Sequence, residues 1–408
     1  MMKGEKTVVY ALLFLLTCGA LKWGYAYTLA FFAIVIGYQL YKRHDISMGY
    51  LQKSEIWLLL IFGVLYTVGA GANFDHIQNY IVMPVFAYIT GWTCVETDFS
   101  TNKDICEINQ TRYKNYILAL TLGFGLYVSL NFFINQGTGR YLLEDFWSGE
   151  FKSATGSGCL NTFIVSLIVY SFVFEKRKKV KAVLMTITVI SVMYMFILAT
   201  RTQFVILSVS LVISIFFYLK EKHGVSGAVK AIIIILLIVV AGIGVYYYNL
   251  FGLKDIINGT NIASRIMERK GLEESDQIRT EGFISGVKGV FEHPLGLGQG
   301  EFYRHNMWLD IGRVSGIIPF AVMIAYSIKT FIHAYRLFKY KMLDTGLRYM
   351  IILIYIGVSL NFFVEPVLEG LISFFLVFTL VNGMTDCFYY HCVDIAKRKT
   401  ILERSRSI

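Results

Sequence analysis

The chain has 408 residues, of which 56% are apolar and only 16% charged, and its mean hydropathy is +0.57. Soluble domains are typically about a quarter charged, so a soluble globular protein is excluded. Four prolines and no polar low-complexity tract leave little room for disordered arms. The net charge of +10 fits either nucleic acid or membrane topology, and its placement decides between them.

In chain order, twelve apolar runs separated by charged breaks lie near 7–21, 25–41, 55–72, 77–93, 116–134, 157–174, 182–199, 203–219, 228–249, 308–328, 348–364 and 367–386. A helix crossing the hydrocarbon core needs ~20 such residues, so the expected fold is an all-α polytopic membrane protein of about twelve transmembrane helices. It forms one integral-membrane domain over residues 1–408. The first run follows Lys3 and Lys6 but has no small-x-small cleavage site before Tyr25, so it reads as a retained helix. With both termini inside, lysine and arginine concentrate in inner connections such as 175–181 and the tail 397–406. That is the positive-inside pattern, and it makes a nucleic-acid partner unnecessary.

Two segments are predicted to lie outside: 135–156, and a large loop over 250–306. The stretch 251–304 carries seven bases and eight acids, a balanced surface. Within it Phe283, Val287, Val290 and Phe291 recur at helical spacing up to His293-Pro294, which predicts an amphipathic helix at the outer interface. Residues 294–300 then read as a flexible glycine turn, not a phosphate-binding loop, because no Gly-Lys-Ser/Thr follows. Polar chemistry gathers where the loop re-enters the membrane. A helix beginning near His305 sets Asn306, Asp310 and Arg313 on one face. Ionisable groups at that depth usually face a cavity or one another. An Asp310–Arg313 pair that satisfies itself is the plainer alternative.

His305-Asn306, followed after nine residues by Gly316-Ile-Ile-Pro319, resembles the His-Asn-x9-Gly-x-x-Gly signature of the O-antigen ligase and Wzy-type polymerase superfamily. The chain departs from it at Pro319. Trp308-Leu-Asp310 looks more like the polymerase branch. Gly296-Leu-Gly298, Thr200-Arg201 and Arg279 resemble elements that the family carries in the same order, and the resemblance covers roughly 135–325. It implies an integral-membrane glycosyltransferase of the GT-C class in the bacterial inner membrane, with its active site on the periplasmic face. Its substrates would be undecaprenyl-pyrophosphate-linked oligosaccharides as donor and acceptor, with no cofactor and no metal. A chain-length regulator in the same membrane is a further expected partner. The alternatives are the sister ligase, transferring to lipid A-core, and a lipid-linked oligosaccharide flippase or other transporter. A transporter should carry ionisable groups deep in several spans, and these spans look nearly free of them.

The residue types suit that chemistry independently. His305 is the expected general base, since imidazole titrates near neutrality. Arg201 and Arg279 are the expected pyrophosphate contacts, because a guanidinium fork fits phosphate oxygens. Asn306, Asp310, Arg313 and Arg140 are expected to touch substrate, although helix capping explains Asn306 or Asp310 nearly as well. Glu365 and Glu369 flank Pro366 at an outer turn and could line the same cavity, but chain position does not set their distance from His305. Arg265, Arg269 and Lys270 read as a solvated charged face. His76, His293, His333 and His391 lack metal-ligand spacing. The six cysteines form no CxxC pair.

Overall fold

The computed structural model describes residues 3–20, 25–43, 48–95, 103–252, 255, 269–299 and 305–406. Among these the chain is helical, with one isolated β-bridge between Glu144 and Phe151. Its helices are α1 (Lys3–Thr17), α2 (Tyr25–Arg43), α3 (Ser54–Gly69), α4 (Phe74–His76), α5 (Met83–Val95), α6 (Lys103–Ile134), α7 (Ala154–Val165), α8 (Lys178–Leu198), α9 (Arg201–Tyr247), α10 (Arg269–Glu292), α11 (Met307–Ser315), α12 (Ile317–Lys339), α13 (Thr345–Val364), α14 (Val367–Gly370) and α15 (Ile372–Arg406).

Among the described residues, seven helical stretches are long and apolar enough to cross a membrane, where the hydropathy pattern predicts twelve spans over the chain. The difference has local causes. Two early apolar helices, α1 with 15 residues and α3 with 16, fall short of that length. The run at 77–93 opens as a π-helix over Ile77–Val82 before α5. The runs at 203–219 and 228–249 share α9, which breaks at Gly224 (φ 62°, ψ −139°). There the chain bends so sharply that a Cβ on Gly227 would lie 1.9 Å from the Leu219 carbonyl oxygen. The second arm exposes Ile232, Ile233, Leu236, Leu237 and Val240, an apolar face that only lipid or another protein would cover.

The chain divides into two compact units. The first holds 1–123, 281–355 and 362–408, and its core is the packing of α5 on α15. A Cβ on Gly91 would sit 1.9 Å from the Leu380 carbonyl oxygen, and one on Gly383 would sit 2.0 Å from that of Tyr88. Small residues let helix backbones approach this closely, as is common between membrane helices. The second unit holds 124–280 and 356–361. Val165, Met195 and Ile206 form a core cluster there, with Phe204, Leu207 and Leu360 packed against it.

Two connections are held by single acids. In the segment 135–156, Asp145 accepts hydrogen bonds from the Tyr127 hydroxyl (2.6 Å) and from the backbone N–H of Trp147 and Ser148, and pairs with Lys152 at 2.6 Å. Burial pushes its carboxyl up, but Lys152 and Tyr127 outweigh that and hold it below the usual range. Between α7 and α8, Glu175 binds the Arg177 guanidinium at both oxygens (2.9 Å each) and accepts from the Tyr170 hydroxyl. Burial again opposes ionisation, yet these partners bring the Glu175 carboxyl down to about 2.

Candidate functional site

The polar cluster of the first unit is built where α10, α11 and α14 converge. Asn306 caps α11, its side-chain oxygen accepting from the Leu309 N–H at 3.0 Å. Its amide N–H donates to the Phe363 carbonyl at 3.2 Å. That is the capping role an N-cap asparagine performs, and it uses both ends of the amide. The helix predicted to continue from His305 through the apolar run instead stops at Ser315. Gly316 adopts φ 88°, and a Cβ there would lie 2.2 Å from the Pro294 carbonyl oxygen. The expected flexible turn at 294–300 is, over its described part, pinned. The Leu297 and Gly298 N–H groups donate to the Arg313 and Val314 carbonyls (2.7 and 3.0 Å), and the Ile317 N–H donates to Pro294.

Asp310 and Arg313 do pair, at 3.0 Å. The Arg313 guanidinium also reaches Glu369 Oε1 at 2.5 Å and donates to the Gly298 carbonyl at 3.4 Å. Burial works against the Arg313 charge, but the two carboxylates outweigh it and raise its affinity for the proton. Burial, with Asp310 nearby, pushes the Glu369 carboxyl up in spite of Arg313. With 3% of its side chain exposed, Arg313 ties three segments together rather than presenting its charge to solvent. Asp310 is likewise interior.

His305 differs. Its ring stands beside this network with 31% of the side chain exposed, and Nδ1 lies 3.9 Å from Oε2 of the buried Glu365. Trp308 walls the same end of α11, its ring edge-on to Phe363 at 4.8 Å and its Nε1–H donating to Ser327. The helix expected over the amphipathic segment is α10. It exposes Phe283, Val287 and Phe291 and buries Val290 against Gly312.

In the second unit, Ala199 closes α8 in the left-handed region (φ 48°), and Arg201 opens α9, half-buried. The Arg140 guanidinium donates to the Ala199 carbonyl at 3.0 Å, so Arg140 and Arg201 meet the same junction. Gly156 sits in the first turn of α7, where its N–H is capped by Ser153. Arg279 is carried on α10, and its side chain lies outside the described residues, as does Arg265.

The fold and these clusters define a polytopic helical membrane protein. No protein-family model matches the chain, and no curated protein matches it either.

Proposed function

We propose that this protein is a membrane glycosyltransferase that polymerises lipid-linked oligosaccharides on the outer face of the bacterial inner membrane. The observation that carries this reading is the partly exposed His305 backed by the buried carboxylate of Glu365. A carboxylate behind one ring nitrogen orients the imidazole and stabilises the charge it gains on taking a proton. At 3.9 Å the pair is longer than a hydrogen bond, and such contacts commonly tighten when substrate binds. The other nitrogen, Nε2, is then the base. It takes the proton of the acceptor sugar hydroxyl as that oxygen bonds to the anomeric carbon of the donor. The bond from that carbon to the undecaprenyl pyrophosphate breaks in the same transfer, and the pyrophosphate leaves with the electron pair.

Arg201, Arg140 and Arg279 are the pyrophosphate contacts that the family resemblance assigns, since a guanidinium supplies the permanent positive charge a departing pyrophosphate needs. The order of His305-Asn306, Gly316, the Gly-x-Gly turn and Thr200-Arg201 along the chain supports the polymerase family over an unrelated enzyme. The same residues would serve a ligase, and the acceptor distinguishes the two. The test is purified protein with lipid-linked repeat units, read as a ladder on a gel. His305→Ala should abolish the ladder while the protein still inserts, because general-base catalysis contributes ~10²–10⁴-fold per transfer. Ladders of unchanged length from His305→Ala would overturn the assignment. Transfer to lipid A-core, with none between repeat units, would make the protein the ligase.

A further inference from the structure

A second cluster of ionisable groups is buried in the first unit. Glu55 stands in the first turn of α3, His333 in the second half of α12 and Asp386 in α15. Their side chains are 0%, 5% and 0% exposed, and one ligand atom from each lies within 4.8 Å of the others. Asp386 faces Nδ1 of His333 at 2.8 Å and also accepts from the Tyr88 hydroxyl. Glu55 Oε1 faces Nε2 at 3.5 Å. The imidazole is stacked on Tyr389 at 4.2 Å, so its orientation is fixed. Glu55 Oε1 also accepts from the Tyr390 hydroxyl and has Lys329 at 3.2 Å. Glu55 Oε2 is buried with no hydrogen-bond partner among the described residues.

Two buried carboxylates face both nitrogens of one ring, and a neutral imidazole has a single N–H. With that proton given to Asp386, the Nε2 lone pair faces Glu55 Oε1, and a cation between them, a proton or a metal ion, would bind both. The 3.5 Å gap exceeds the ~2.7–3.2 Å of an N–H···O hydrogen bond. It matches the edge of a tetrahedral metal shell, where two ligands each ~2.0–2.1 Å from the ion stand about 3.4 Å apart. A carboxylate holding the far nitrogen of a metal-bound histidine is the usual outer partner of such sites. Lys329, 35% exposed on a flexible stem and hydrogen-bonded to Ser54, has room to withdraw.

We propose that Glu55 and His333 bind one divalent transition-metal ion of the zinc class, with Asp386 positioning the imidazole and water completing the shell. Imidazole with carboxylate suits Zn²⁺ over Mg²⁺ or Ca²⁺. The site would tie α3, α12 and α15 together. His305 is not among the groups whose ligand atoms converge there, so the role of the ion is structural and independent of the glycosyl-transfer reading.

The test is the full chain in detergent, equilibrated separately with Zn²⁺ and Mg²⁺, dialysed, and assayed for bound metal and unfolding temperature. About one equivalent of Zn²⁺ and no Mg²⁺ is expected, with the Zn²⁺ raising the unfolding temperature. Glu55→Gln and His333→Ala should lose the ion, and Asp386→Asn should weaken binding about 10- to 100-fold. The unsubstituted protein decides the matter even if a variant fails to fold. Negligible Zn²⁺ on it, or equal Zn²⁺ on folded His333→Ala, overturns the site. So does an unfolding temperature that responds to pH through His333 but not to metal, since a proton would then be the cation.

Discussion

Glu365 and Glu369 stand on either side of Pro366, yet they go to different partners. Glu365 backs His305, whereas Glu369 binds the Arg313 guanidinium. Replacing Glu365 with Gln keeps the shape and removes the charge, so polymerisation should slow by about tenfold or more while substrate affinity stays close to normal. A turnover assay at saturating and limiting donor separates the two. Glu175 offers a stability test away from the site. Its carboxyl is brought down to about 2, so its stabilisation is present above the ordinary carboxylate range near 4.5. It is lost as pH falls from there toward 2. Glu175→Gln should therefore lower the unfolding temperature at pH 7, with the difference from the unsubstituted protein shrinking below pH 4.5. A constant difference across that window would show that the loop's ion pair does not carry it.

Among the elements, the break between α11 and α12 is the most exacting. Gly316 combines a left-handed φ with contact to the Pro294 carbonyl. Gly316→Ala should cost at least about 1 kcal/mol and displace the 294–298 turn, read as lower unfolding temperature and faster amide exchange at Leu297 and Gly298. The sequence pattern runs helix straight through this point, because Trp308 to Phe320 is apolar on the right period and hydropathy does not register φ. The amphipathic α10 and the capping role of Asn306 were legible, since both follow from local spacing. The Asp310–Arg313 pairing was legible too, as a three-residue step on one helix. Glu365 behind His305 was not, nor was the meeting of Glu55, His333 and Asp386. Each brings together residues from separate segments of the chain, and chain spacing carries no information about that.

For the whole molecule, hydropathy and the distribution of lysine and arginine give the membrane class, and the helices agree with it. Orientation is a separate question that charge alone predicts. Reporter fusions after Arg177 and Arg336 should report the cytoplasmic side, and a fusion near Asp276 the outer side. A cytoplasmic signal at Asp276 would remove the outer-face chemistry altogether. Deep ionisable groups count against an outer-face enzyme and for a transporter, and Glu55, His333 and Asp386 are such groups. Their mutual pairing on the first unit gives them a use that needs no transport path.

The bend at Gly224 has a consequence for how the chain is made. Residues 201–247 as one straight rod would be about 70 Å long, more than twice the ~30 Å hydrocarbon layer. On the twelve-span reading, the insertion machine receives this segment as a two-armed pin that adds two crossings. A residue that could not take the Gly224 conformation would make the arms enter as one. On that reading, every helix synthesised afterwards would be threaded with the opposite parity.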